Sequence, residues 1–115
     1  MRRRNYSKFG NRHTIVDGIS FDSQREAVRW CELKVLEKAG EIHGLDRQVK
    51  FVLAPGVHIK GASRKSQDLR YYADFAYITK EGEAVVEDSK GHRDAVYKIK
   101  RHLMKSVHNI DILET

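Results

Sequence analysis

The sequence predicts an α/β domain in which helices flank a mixed β-sheet. Two segments of helical period, at about residues 24–39 and 94–107, alternate with short apolar runs that are typical of strands. Their order is helix, strand, strand, strand, helix, strand, which is an α/β sandwich rather than a bundle or a barrel. The 115 residues allow one domain with a modest core, and no run of 18 apolar residues predicts a membrane span.

The first twenty residues are predicted to be a basic arm, with a short extended piece at 13–19, ahead of a domain over residues 21–115. The arm's cations are Arg2, Arg3, Arg4, Lys8 and Arg12. The net charge of the chain is +6, which favours a polyanionic partner. A single cysteine excludes an internal disulfide and suits a reducing cytoplasm.

The first helix is predicted from Gln24 to Ala39. Ser23 and Glu26 have the spacing of a capping box, and Gly40 is typical of a C-terminal stop. We expect this helix to be well buried, with Cys31 in a structural role on its apolar face. The predicted face consists of Ala27, Val28, Cys31, Val35 and Ala39, broadened by Trp30, Leu33 and Leu36.

A strand is predicted at 49–53, ended by Pro55-Gly56. The polar stretch 56–70 carries four basic side chains and is expected to be a mobile loop or a ragged strand end. Helix two is predicted at 94–107, followed by a last strand at 109–113. Its apolar stripe is Val96, Ile99, Leu103 and Val107, and its basic stripe is Lys98, Arg101 and Lys105.

The apolar runs 71–78 and 84–89 predict a hairpin. If Lys80-Glu81-Gly82 forms a three-residue loop with glycine in the left-handed conformation, Thr79 faces Glu83 and Asp74 lies opposite Asp88. The period of two then puts Lys90 on the same face as both acids. A two-residue turn would instead shift the register by one and separate the acids.

Two facing carboxylates need an offsetting charge. At about 5 Å they repel by roughly 3 kcal/mol at an effective dielectric of about 20, and a hard divalent cation removes this cost. The residues therefore favour a Mg²⁺ site with Lys90 beside it, which is the chemistry of phosphodiester hydrolysis. A surface hairpin with scattered charges is the alternative that the pattern leaves open.

The ordered set of motifs resembles the PD-(D/E)xK nuclease superfamily, and within it a small phage and prophage nuclease family related to the phage endonuclease-I-type Holliday junction resolvases. The resemblance covers about residues 20–113. Its blocks are Phe21-Asp22-Ser23, Glu26-Ala27, Ala39-Gly40-Glu41-Ile42, Gln48 with Phe51, Tyr72-Ala73-Asp74-Phe75 and Val86-Glu87-Asp88-Ser89-Lys90-Gly91. Ala73 replaces the proline of the motif, which carries no chemistry.

The resemblance implies a restriction-endonuclease-like core and four catalytic residues, which are Glu26, Asp74, Asp88 and Lys90. Asp74 and Asp88 would bind one or two Mg²⁺ ions, for which Mn²⁺ can substitute. The Ser89 carbonyl and Glu26 would be further ligands, although Glu26 can equally serve as a helix cap. Glu87 adjoins Asp88 but is expected on the opposite face of the strand. Gln48, Lys98, Arg101 and Lys105 would contact DNA together with the arm.

The resemblance implies a structure-selective endodeoxyribonuclease that acts on branched DNA, as a homodimer in the cytoplasm of a phage host. Cutting both strands of a four-way junction needs two copies of one small domain. The alternatives are a general or nicking phage endonuclease, and a non-catalytic basic DNA-binding protein of the same fold.

Overall fold

The computed structural model describes residues 13–89 and 93–115, which form two sheets and two helices. The mixed α/β class expected from the sequence is confirmed. The elements are β1 (Thr14–Val16), β2 (Ile19–Phe21), α1 (Gln24–Lys38), β3 (Ile42–Ala54), β4 (Leu69–Thr79), β5 (Ala84–Asp88), α2 (Ala95–His108) and β6 (Leu113–Glu114). Neither helix is long and apolar enough to cross a membrane, as far as the described residues go.

The larger sheet has the strand order β3-β4-β5-β6 and is mixed, because β3, β4 and β5 pair antiparallel while β6 runs parallel to β5. The smaller sheet is a hairpin of β1 and β2, where the sequence predicted only a short extended piece. Its turn, Asp17-Gly18, has φ values of 50° and 78°. Positive φ at both turn residues matches the right-handed twist of a two-residue hairpin.

The predicted bounds of α1 are confirmed. Ser23 is the N-cap, and its Oγ accepts a hydrogen bond from the backbone N–H of Glu26 at 3.1 Å. Gly40 follows the C-cap Ala39 with a φ of 81°, a conformation that glycine adopts without a Cβ clash.

The predicted apolar face of α1 is confirmed only in part. Val35 is 68% exposed, and Val28 and Cys31 are also exposed, so the expectation of a buried structural cysteine is wrong. The helix packs through three residues of the predicted set, which are Ala27, Leu33 and the partly buried Trp30. Apolar residues occur around more than half of this helix, and the sheet covers only the narrower stripe that these three residues share.

The predicted stripe of α2 is also wrong, although the helix itself lies where it was expected. Val96, Ile99 and Val107 are exposed, Leu103 is partly buried, and the helix packs through Tyr97 and Met104. The tyrosine ring lies 6.4 Å from that of Tyr71, centre to centre. These larger side chains fill the space above β4, which turns the valine-isoleucine stripe towards solvent.

Two strands differ from their predicted lengths. β3 extends from Ile42, seven residues before the predicted start, because β4 pairs with it along its whole length. The final strand is Leu113–Glu114 rather than 109–113. Asn109 has a left-handed backbone with a φ of 57° and ends α2, so it cannot begin a strand.

The core is divided into two clusters on opposite sides of the larger sheet. Val86 packs in the cluster of α2, and its neighbour Val85 packs against the cluster of α1. Because consecutive strand residues point to opposite faces, α1 and α2 cover opposite faces of β5. The helices therefore flank the sheet, as the sequence predicts.

The odd-numbered side chains of β4 change from one face of the sheet to the other between Ala73 and Phe75. Ala73 packs with the α2 cluster and Phe75 with the α1 cluster, although residues two apart on a regular strand share a face. On the neighbouring strand Gln48, between the paired residues Arg47 and Val49, has a φ of 52°. This left-handed residue rotates β3, and β4 turns with it at Asp74.

Candidate functional site

The β4–β5 hairpin has the register that the sequence predicts. Phe75 pairs with Glu87 and Ile78 with Ala84, so paired numbers sum to 162. The backbone N–H of Thr79 donates to the carbonyl of Glu83 at 2.8 Å, and Gly82 has a φ of 92°. The three-residue loop with a left-handed glycine is therefore confirmed, and the two-residue turn is excluded.

This register brings Asp74 and Asp88 together at the end of the ladder. The two acids are close enough that the charge of Asp88 raises the pKa of Asp74, and Asp88 is almost completely buried. The backbone N–H of Ser89 donates to Asp74 Oδ2 at 2.8 Å, and the Tyr71 hydroxyl donates to Asp88 Oδ2. Each carboxyl group is thus oriented by its own donor.

Burial and the neighbouring negative charges favour the protonated form of the Asp74 carboxyl group. Burial, followed by the charges of Asp88 and Glu26, raises the pKa of Asp74 to about 7, against a smaller lowering by the Ser89 N–H. Burial and the bond to Asp88 also raise the pKa of the Tyr71 hydroxyl, which keeps it a donor at neutral pH. A cation between the acids would offset the negative charge that raises the pKa of Asp74.

Glu26 lies at the start of α1 and belongs to the same electrostatic environment. It is 5% exposed, and its carboxylate accepts a hydrogen bond from the Gln48 side chain at 3.3 Å. Burial raises its pKa most, and the charges of Asp22 and Asp88 add to this, while Arg47 and Gln48 act in the opposite direction. Gln48, which has the left-handed backbone, therefore links Glu26 to the position at which the side chains of β4 change faces.

Glu87 takes part in a separate network. Its carboxylate is fully buried and accepts two hydrogen bonds from the Arg29 guanidinium, at 2.8 and 2.7 Å, and one from the Tyr77 hydroxyl. A bidentate arginine neutralises the charge of Glu87 on the α1 side of the sheet. Asp88, the next residue, contacts Asp74 and Tyr71 instead, as strand alternation predicts.

Several residues that the sequence predicts at the site lie outside the described residues. They are Arg2, Arg3, Arg4, Lys8, Arg12 and Lys90.

Two of the three cations in the basic stripe of α2 are paired with acids. Arg101 binds Glu114 at 2.9 Å, and Lys105 binds Asp111 at 2.8 Å, while Lys98 is exposed. Hydrogen bonds from Tyr97, Arg93 and Arg101 lower the pKa of Glu114 to about 2, so this acid stays charged. The basic stripe of α2 therefore carries less net charge than its sequence indicates.

Tyr71 and Asp22 are neighbours of the site that sequence reasoning missed. Tyr71 lies three residues before Asp74, and regular alternation puts residues three apart on opposite faces. Its contact with Asp88 depends on the change of side at Asp74, which no local pattern in the sequence signals. The adjacency of Asp22 to the first helix was a usable signal, since it precedes the N-cap by one residue.

The residues fit a hard, oxygen-liganded cation. Within residues 13–89 and 93–115, no group of three or more histidine, cysteine, aspartate or glutamate side chains is arranged to hold a metal ion. Mg²⁺ binds in proteins through one or two carboxylates and keeps several waters. The buried Asp88 and the half-buried Asp74 supply those two carboxylates. The pair does not fit zinc, which prefers nitrogen and sulfur ligands.

Comparison with known proteins gives one match. The sequence pattern of a family described as "Protein of unknown function (DUF1064)" matches residues 6–112, which is nearly the whole chain. No curated protein and no solved structure matches.

Proposed function

The chain belongs to the DUF1064 family, and we propose that it is a Mg²⁺-dependent endodeoxyribonuclease selective for branched DNA, such as the four-way junctions of phage recombination. One observation carries the proposal. The β4–β5 register brings the half-buried carboxyl group of Asp74 and the buried one of Asp88 so close that the charges of Asp88 and Glu26 raise the pKa of Asp74. This arrangement is costly unless a proton or a cation offsets it.

Asp74 and Asp88 would hold the metal, which when bound supplies an activated water and stabilises charge on the phosphate. The chain's own groups prepare the ligands. Tyr71 and the Ser89 N–H fix the orientation of one carboxylate each. Glu26 adds negative charge and binds Gln48. Lys90, which lies outside the described residues, is proposed from the sequence as the cation that orients the attacking water.

The architecture supports a restriction-endonuclease-like core. The larger sheet is mixed and is flanked by one helix on each face, and the acid pair lies where β4 and β5 end their pairing. Glu26 reaches the pair from the first turn of α1. The order of helix acid, strand acid and acid-x-lysine is the one that the sequence resemblance implies.

A homodimer follows from the proposed substrate, because symmetric cleavage of a junction needs two acid pairs. The exposed residues Val28, Cys31 and Val35 on α1 are spaced by three and four, so they form one apolar line on the helix. An apolar line of this kind supports α1 as the dimer contact. Sedimentation equilibrium of the wild type and of Val35→Lys tests this, with a monomeric variant as the expected result.

The direct test of the activity compares a four-way junction with a linear duplex of the same sequence, each with Mg²⁺, with Mn²⁺ and with EDTA. We expect metal-dependent cleavage of the junction at least about tenfold faster than of the duplex. Asp88→Asn and Lys90→Ala should abolish cleavage while junction binding persists. Equal cleavage of both substrates would leave a general endonuclease. Binding without cleavage under every condition would leave a non-catalytic DNA-binding protein.

A further inference from the structure

The connection between β3 and β4, residues 55–68, is ordered and basic. We call it the β3–β4 arm, to distinguish it from the basic arm predicted at the N-terminus. Hairpin loops usually have about 2–5 residues, and longer ordered connections are commonly functional. Three hydrogen bonds close the base of this arm: Gly56 N–H to Asp68 at 2.8 Å, Val57 N–H to Ser66 Oγ at 2.8 Å, and Ser66 N–H to the Val57 carbonyl at 2.7 Å. The two sides of the arm are therefore held together.

The two sides approach so closely at Gly56 that no side chain fits there. A Cβ at this position would lie 2.1 Å from the Ser66 carbonyl oxygen. All residues from 57 to 69 are exposed, so the arm buries little surface against the other described elements. The chain thus maintains a defined, narrow ribbon that contributes nothing to the core.

The cations of the arm are not neutralised. Lys60, Arg64 and Lys65 are exposed, and none of them forms an ion pair with any of the described residues. Asp68 is the arm's one acid, and it accepts the Gly56 N–H at the base. The α2 cations Arg101 and Lys105, by contrast, are bound to acids.

A strip of exposed side chains connects the arm to the acid pair. Lys50 pairs with Tyr72 across β3 and β4, and Tyr72 is 48% exposed. Both residues lie two positions, or about 7 Å, from Gln48 and Asp74 along their strands. Leu69, the first residue of β4 after the arm, is five residues, or about 17 Å, from Asp74. This distance corresponds to about five phosphates of one DNA strand.

We propose that the β3–β4 arm and the Lys50–Tyr72 pair form a docking surface for the sugar-phosphate backbone of duplex DNA. The surface holds one duplex branch of the DNA substrate beside the acid pair, so this inference rests on the proposed nuclease function. The major groove of B-DNA is about 12 Å wide and admits a narrow protruding element of the protein. The three free cations contact phosphates, and Tyr72 lies between them and the cleavage site.

The test measures binding in EDTA, where no cleavage occurs, by fluorescence anisotropy of a labelled duplex and a labelled four-way junction. The arm variant is Lys60→Gln/Arg64→Gln/Lys65→Gln. The matched control is Lys34→Gln/Lys38→Gln/Lys80→Gln, which removes the same charge from exposed positions on α1 and the β4–β5 turn. Circular dichroism checks that both variants remain folded.

We expect the arm variant to reduce the magnitude of the slope of log affinity against log salt by about 2.7, which is three phosphate contacts. The ratio of wild-type affinity to variant affinity should then be about 40 times larger at 50 mM than at 200 mM salt. The control should keep most of the wild-type slope. Equal slopes for the arm and control variants would overturn the proposal, since net charge alone would then explain binding.

The outcomes separate this inference from the activity. Cleavage by wild type together with an unchanged slope in the arm variant rejects the docking surface and leaves the nuclease. Arm-dependent binding without any cleavage rejects the nuclease and supports the surface. Because Val57 and Ile59 are also exposed, binding to vesicles with anionic phospholipid is measured as well. Loss of vesicle binding with intact DNA binding in the arm variant would overturn the DNA assignment.

Discussion

The Tyr71 hydroxyl on β4 donates a hydrogen bond to Asp88 on β5, so the orientation of one acid depends on the neighbouring strand. A second pair has the same chemistry, because Tyr77 donates to Glu87, the residue next to Asp88. The two tyrosines lie on the same strand but reach different sides of the sheet. They therefore give a matched comparison between a carboxyl group proposed to bind metal and one that is paired with arginine.

Tyr71→Phe is expected to weaken Mn²⁺ binding by at least about tenfold, the usual effect of removing a group that orients a metal ligand. The ring stays in place, so packing against Tyr97 is retained. Titration calorimetry of the DNA-free protein measures the affinity. Tyr77→Phe is the control, and its Mn²⁺ affinity should remain within about twofold of wild type. Similar losses in both variants would show that Tyr71 acts through general stability.

Asp88→Asn and Glu87→Gln should separate cleavage from stability. We expect Asp88→Asn to abolish cleavage and leave the melting temperature of the metal-free protein equal or higher, because it removes one member of a repelling pair. Glu87→Gln should retain cleavage while lowering the melting temperature, because the Arg29 guanidinium loses its charged partner. Junction cleavage and calorimetric melting are the measurements. Loss of cleavage in Glu87→Gln at a temperature where it remains folded would reverse the assignment of the acids.

The stability of the metal-free protein should fall as the pH rises from about 5 to 8. The pKa of Asp74 is raised from its ordinary value of 3.8 to about 7 in the folded state. A raised carboxyl pKa stabilises the fold fully below the unfolded value, and this stabilisation is lost as the pH rises through the folded value. At about 1.4 kcal/mol per unit, the expected loss is on the order of a few kcal/mol.

Melting of wild type and Asp74→Asn between pH 5 and 8 in EDTA checks the origin of this dependence. The asparagine variant should lose most of the slope, and added Mg²⁺ should restore stability to wild type at pH 8. A variant that keeps the full pH dependence would assign it to other groups.

Local patterns in the sequence predicted the helices, the strands and the hairpin register well, because caps and turns depend on residues close together in the chain. Gly82 allows the three-residue turn, and that turn alone fixes Asp74 relative to Asp88. The buried sides of the helices were not predictable in this way. Both helices carry more apolar residues than the sheet covers, and the choice of Leu33 over Val35 depends on where α1 crosses β4 and β5. Tyr71 was missed because its contact needs the change of side at Asp74.

Arg29→Met should destabilise the protein by about 3–5 kcal/mol, because it leaves the fully buried Glu87 charge without its arginine. Methionine keeps much of the volume of the arginine stem, so the change is mainly electrostatic. Glu32→Gln is the control, since its ion pair with the same arginine is exposed and should cost less than about 1 kcal/mol. Urea unfolding measures both. A small effect of Arg29→Met would mean that Glu87 becomes protonated at little cost.

Gln48 tests whether the left-handed backbone of β3 aligns the acids. Gln48→Val puts a β-branched side chain at a φ of 52°, and we expect a loss of at least about 1–2 kcal/mol. Gln48→Gly relieves that strain at the expense of chain entropy, so its stability should remain within about 1 kcal/mol of wild type. Both variants lose the hydrogen bond to Glu26. If both retain Mn²⁺ affinity, Gln48 serves the backbone alone. If the glycine variant is as stable as wild type but binds Mn²⁺ more weakly, the Gln48–Glu26 bond itself supports the metal site.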